Sequence, residues 1–134
     1  MVNILDKVQP KTKEQLKQLI NYAFKHDIYD LNFIDTSKIT DMSWLFENVK
    51  HNFDISSWDV SNVTDMSHMF QFCYDLDCDL SSWDVSSVTN MRDMFDECER
   101  LKCDLSSWNV SNVLDMRGMF THCNKLTIPA WYTE

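Results

Sequence analysis

The sequence predicts an α/β repeat solenoid, with one short strand and one short helix in each 25-residue repeat and an amphipathic helix capping the N-terminal end. Three observations carry this expectation. Residues 79–103 superpose on the stretches either side when shifted by 25 positions, which aligns Trp58, Trp83 and Trp108, then Met66, Met91 and Met116, then Phe70, Phe95 and Phe120. A unit of that size cannot bury its own apolar face and has to stack on a copy of itself. Within the unit the period changes: Trp83 and Val85 stand two apart, a strand spacing, whereas Met91, Met94, Phe95 and Cys98 follow the i, i+3, i+4, i+7 spacing of a helix face.

The elements follow in chain order. Over 12–26, Leu16, Leu19, Ile20, Ala23 and Phe24 form one apolar stripe, and Thr12 and Gln15 have the spacing of a capping box. The polar side of this helix carries Lys13, Lys17, Gln18, Asn21 and Lys25, so it is expected to lie across the first coil and shield it (residues 1–30). Residues 31–53 are a degenerate repeat, with Ile34 where the tryptophans stand and Ile39, Met42, Leu45 and Phe46 in the later columns. Three full repeats follow, at 54–78, 79–103 and 104–126, opening on Ile55, Leu80 and Leu105. The column Asp41, Asp65, Asn90, Asp115 offers a side-chain oxygen at each expected helix start. Residues 127–134 close the array, where Pro129 removes a backbone donor from the exposed edge and Trp131 can cover the last coil. With one Gly and two Pro in 134 residues there is no linker, and the chain reads as a single domain.

The pattern Trp-Asp-Val-Ser-x-Val-Thr-x-Met-x-x-Met-Phe-x-x-Cys, carried by about residues 31–126, resembles the repeat of BspA-like bacterial surface proteins, distant relatives of leucine-rich repeats. The resemblance implies a right-handed, leucine-rich-repeat-like coil, often on cell surfaces and often engaged in adhesion or protein binding. Its motif brings no catalytic residue with it.

Five cysteines fall into two columns, Cys73, Cys98, Cys123 and Cys78, Cys103, whose first-repeat equivalents are Val49 and Phe53. Those apolar equivalents mark both columns as interior. Sulfurs in coils about 4.8 Å apart are close but poorly aimed for a disulfide, so the reading is buried, reduced thiols, with disulfides and zinc as the alternatives. The four histidines read as surface residues. The columns Asp54, Asp79, Asp104 and Asp59, Asp84, Asn109 raise calcium, because hard cations want several oxygens. The competing reading is an Asx turn at each Asp-x-Ser, and Asn109, which lacks the charge, favours it. No catalytic residue, metal ligand or cofactor site is expected.

Net charge is −9, and it is unevenly placed: residues 54–78 carry five acids and no base. A chain without a basic stripe is not expected to bind nucleic acid. No signal peptide or apolar run long enough to span a bilayer is visible, so a cytoplasmic location without membrane insertion is expected, with the cell surface as the alternative if a leader was removed. The function expected is a non-enzymatic protein-binding module, its partners basic protein surfaces and the chain itself a monomer. The alternative is an acidic, DNA-mimicking or immunity-like inhibitor that fills the basic cleft of an enzyme. Columns facing water are free to differ between repeats, and the aromatics Phe72 and Tyr74 stand where the next repeat has Glu97 and Glu99. With Asp75 and Asp77 these residues form the expected partner-binding set.

Overall fold

Apolar residues three apart in each repeat stand at the two ends of a β-turn. This is the organising fact of the computed structural model, which describes residues 7–133. In the third repeat the N–H of Trp83 donates to Leu80 O, Val88 to Val85 O, Met94 to Met91 O, Cys98 to Phe95 O and Leu101 to Cys98 O, all at 3.0–3.3 Å. Turns at the same positions recur in the second and fourth repeats.

The expected α/β solenoid is therefore corrected. Among the described residues there is one α-helix, α1 (Lys13–Lys25), and the only β-pairing is five isolated parallel bridges, three of them joining neighbouring repeats at Asp41–Asp65, Asp65–Asn90 and Asn90–Asp115, and a fourth joining Asp30, just before the first repeat, to Asp54. No repeat has its own strand or helix. The reason lies in what an i, i+3, i+4 spacing can mean, since consecutive turns bring their corner residues inward at the same intervals as a helix face. Asp93 and Glu97 sit third in their turns at φ 52° and 65°, the left-handed values that a type II turn needs and a right-handed helix forbids. Trp44, His68 and Gly118 repeat the first of these conformations, and Asn48, Phe72 and His122 the second.

The turns also free backbone groups for stacking. Every second N–H in the stretch bonds to the next repeat instead of its own: Met66 to Asn90 O, His68 to Arg92 O, Phe70 to Met94 O and Phe72 to Asp96 O, each at 2.9 Å. A helix would have kept those donors for itself.

Side-chain ladders complete the stack. Phe46, Phe70, Phe95 and Phe120 stack nearly parallel with ring centres 5.4–5.8 Å apart. The indole N–H groups of Trp58, Trp83, Trp108 and Trp131 each donate to a carbonyl of the preceding repeat, at Leu31, Ile55, Leu80 and Leu105. Trp131 thus covers the last repeat as expected, stacking on Trp108 at 6.4 Å. All five cysteines are free; Cys103 is half-buried and the others are buried.

At the other end Thr12 caps α1, its Oγ1 accepting from Gln15 N at 3.1 Å, while Gln15 Oε1 accepts from the N–H of Lys11. Leu16, Ile20 and Ala23 are buried against the array. Two lysines expected to face water turn inward: Lys17 Nζ donates to Leu45 O at 2.6 Å, and Lys13 Nζ to Ser43 Oγ at 2.8 Å. The aspartates of both exposed columns make Asx turns, Oδ1 of Asp54, Asp59, Asp79, Asp84 and Asp104 each accepting from the N–H two residues on, as does that of Asn109.

Candidate functional site

The turn that follows each cysteine corner carries the features by which the repeats differ. Leu76, Leu101 and Leu126 are buried at one end of it, so the residues on either side of each leucine are thrown outward. Read across repeats, the position before the leucine is Asp75, Arg100 and Lys125, with Lys50 in the first repeat, and the position after it is Asp77 and Lys102, with Asn52 in the first. These columns border an open concavity of about 980 Å³, whose wall is completed by His51, Glu99 and Asn124. Four cationic side chains face three acidic ones there.

The charges are arranged in pairs along the stack. Arg100 Nε lies 3.4 Å from Asp75 Oδ1, and Lys102 Nζ lies 3.7 Å from Asp77 Oδ2. Asn52 Oδ1 accepts from the N–H of Asp77 at 2.9 Å. At the N-terminal end Lys50 Nζ stands 5.3 Å over the ring of Tyr74, and His51 packs edge-on against Phe24 of α1 at 4.5 Å. His51 and His68 are half-buried rather than on the surface, His68 stacking on Trp44 at 3.8 Å. Exposed pairs of this kind add little stability, so their reach is available to a ligand at small cost.

Of the residues singled out from sequence, Asp75, Asp77 and Glu99 line this groove and Tyr74 flanks it under Lys50. Phe72 and Glu97 do not line it. Phe72 and Tyr74 are half-buried with their rings 6.4 Å apart, not the exposed aromatic pair expected. Phe72 is constrained by its place in a turn, at φ 64° with its N–H bonded to Asp96 O. Glu97 belongs to another cluster, in which ligand atoms of Asp96, Glu97 and His122 all lie within 4.8 Å of one another. Those atoms are engaged already: Glu97 Oε1 with His122 Nδ1 at 2.6 Å, and Asp96 Oδ2 with Gln71 Nε2 at 2.8 Å. Three ligands, one of them an exposed imidazole, fall short of the four of a structural zinc site.

The sequence reading missed the cations Lys50, Arg100, Lys102 and Lys125. Their signal was the 25-residue column itself, which counting charge repeat by repeat hides.

A family described as a Mycoplasma protein of unknown function, DUF285, matches residues 14–131. The chain belongs to the DUF285 family. The match takes in α1 from its second residue, all the repeats and Trp131, so the groove lies wholly within the DUF285 region. No curated protein and no solved structure matches the chain.

Proposed function

We propose that this DUF285 chain is a non-enzymatic protein-binding module whose groove takes an extended polypeptide bearing charges of both signs. The observation that carries the reading is the column Lys50, Asp75, Arg100, Lys125, which offers charges of alternating and then like sign along a single open concavity. Electrostatic patterning of this kind selects partners and register more than it adds affinity.

Several features support it over the alternatives. Burial pushes the thiols of Cys73, Cys78 and Cys123 up to about 12, so these sulfurs are protonated and poor nucleophiles. The five acids of residues 54–78 are dispersed, Asp54, Asp59 and Asp65 in Asx turns and Asp75 and Asp77 against cations, which favours the binding module over an acidic decoy for a basic cleft. No helix among the described residues is long and apolar enough to cross a membrane. The resemblance to BspA-like repeats fits the same reading.

The test is partner capture by the parent and by Arg100→Glu with Lys125→Glu, at low and high salt. Capture is expected to be lost in the double variant at an unchanged melting temperature. Capture that is indifferent to both the substitutions and the salt would remove the groove from the function.

A further inference from the structure

The hydrogen bonds between repeats are polarised. In four columns an N–H of one repeat points to a carbonyl of the next, as Met91 to Asp115, Asp93 to Arg117, Phe95 to Met119 and Glu97 to Thr121, at 2.8–3.0 Å. One column runs the opposite way, the N–H of Leu114 donating to Thr89 O at 2.8 Å. A stack built like this ends in two unlike edges.

The N-terminal edge has carbonyls in the acceptor columns, at Asp41, Ser43, Leu45 and Glu47, and α1 covers the middle of it. Lys17 Nζ bonds Leu45 O at 2.6 Å and Lys13 Nζ stands 3.5 Å from the Asp41 carboxylate. The C-terminal edge has the donors: the N–H groups of Met116, Gly118, Phe120 and His122, none of which has a partner among the described residues. The carbonyl of Leu114, the lone acceptor of the reversed column, also has none.

Side chains at this edge are uncovered in the same way. Val113 and Met116 are half-buried where their equivalents Val88 and Met91 are at 0% exposure. Leu114 stands where earlier repeats have Thr40, Thr64 and Thr89, and it is 88% exposed. Thr133 only partly closes the space, leaving a concavity of about 350 Å³ against Val113, Leu114 and Met116.

We infer that this edge docks a segment of another polypeptide as one further layer, presenting carbonyls on four alternate residues, an N–H opposite Leu114 O and an apolar side chain over Leu114. The pattern of donors selects this occupant. Two copies meeting edge to edge would set donors against donors, and the complementary edge of a second copy is obstructed at its middle by α1, whose Lys17 already holds Leu45 O. An inorganic anion could accept from the N–H groups, yet it offers no apolar cover for the leucine. Backbone pairing at an open edge is an established way for one chain to hold another.

The experiment uses the full chain and a synthetic peptide of residues 112–126, whose carbonyls at Asp115, Arg117, Met119 and Thr121 already serve this pairing within the protein. On adding the peptide, amide exchange at Met116, Gly118, Phe120 and His122 is expected to slow about tenfold or more, while the already bonded Met119 and Thr121 are unchanged. Leu114→Asp is expected to weaken peptide binding about tenfold at an unchanged melting temperature, because the side chain touches little in the free protein. Three results would each overturn the inference: no protection by the peptide, equal protection by a scrambled peptide or by inorganic phosphate alone, or protection without peptide in a sedimenting dimer.

Discussion

The thiol of Cys98 donates to the carbonyl of Phe70 at 3.1 Å, and Cys73 to Phe46 and Cys123 to Phe95 repeat the contact at 3.0 and 2.9 Å. Each sulfur therefore joins one repeat to the one before it, in a column at 0–6% exposure. A thiol-specific reagent is expected to modify Cys103 first in the folded protein, since it alone is half-buried, and the other four only on unfolding. Rapid labelling of Cys98 would remove that column from the core.

The same burial sets an alkaline limit. Desolvation raises Cys73, Cys78 and Cys123 from 9.0 to about 12. A group whose folded value is raised contributes fully below its unfolded value and loses that contribution as pH climbs through the folded one. The melting temperature should thus hold to about pH 9 and fall from there towards pH 12, with a shallower fall in Cys73→Val, which copies Val49 of the first repeat. An equal slope in that variant would show that other groups set the limit.

Gly118 occupies the left-handed column of Trp44, His68 and Asp93 at φ 68°, and a Cβ there would meet Asp93 Oδ1 at 2.0 Å. Gly118→Ala should therefore cost about 1–3 kcal/mol, from conformational strain and from the contact together. Asp93→Ala in the same chain should recover part of the loss, leaving the strain alone. Full additivity in a double-mutant cycle would show that the two residues do not meet.

What could be read in the sequence and what could not divide on the same physical point. The buried columns were legible because Trp58, Val60, Met66, Met69 and Phe70 recur at a fixed interval, and stacking forbids them to vary. Thr12 and Gln15 announced α1, and Asp-x-Ser announced the Asx turns, because each is a local hydrogen-bond signature. The helix expected over 91–98 failed because two geometries share one spacing, and glycine, the usual mark of a left-handed residue, appears at only one of eight positions in the two columns. In the groove Glu99 was found by its contrast with Tyr74 of the preceding repeat, and Asp75 and Asp77 as acids of the base-free stretch 54–78. Arg100 and Lys125 were not, because their meaning depends on Lys50 and Asp75 lying beneath them in the stack.

At Phe72 the backbone and the side chain pull in opposite directions. The ring is half-buried beside Tyr74, but φ is 64°, which disfavours any side chain with a Cβ. Phe72→Ala loses the ring and keeps the strain, whereas Phe72→Gly loses the ring and relieves it. The glycine variant is expected to be the more stable by about 1 kcal/mol, the reverse of the usual order. Chemical denaturation of the pair decides it, and an alanine variant that outlasts the glycine one would mean that residue 72 is not left-handed in solution.

The exposed aspartates make the protein acid-sensitive for a reason separable from their charge on the surface. Hydrogen bonds from the serine two residues on hold Asp54, Asp79, Asp84 and Asp104 below the usual carboxylate value of 3.8, and Arg117 holds Asp115 at about 2. A lowered folded value gives stability that is present above the unfolded one and lost as pH falls through the folded one, so melting temperature should decline from about pH 4 towards pH 2. Asn109 and Asn90 make the same turn with an uncharged oxygen, accepting from Ser111 N and Arg92 N at 3.1 Å. Asp79→Asn with Asp84→Asn should accordingly flatten the acid decline and lower the neutral-pH melting temperature only by the charge-assisted part of the two bonds, while the paired alanine variant, which has no acceptor for Ser81 N or Ser86 N, lowers stability further and at every pH. If the asparagine variant melted earlier at neutral pH by as much as the alanine one, the charge rather than the turn would be what these columns supply.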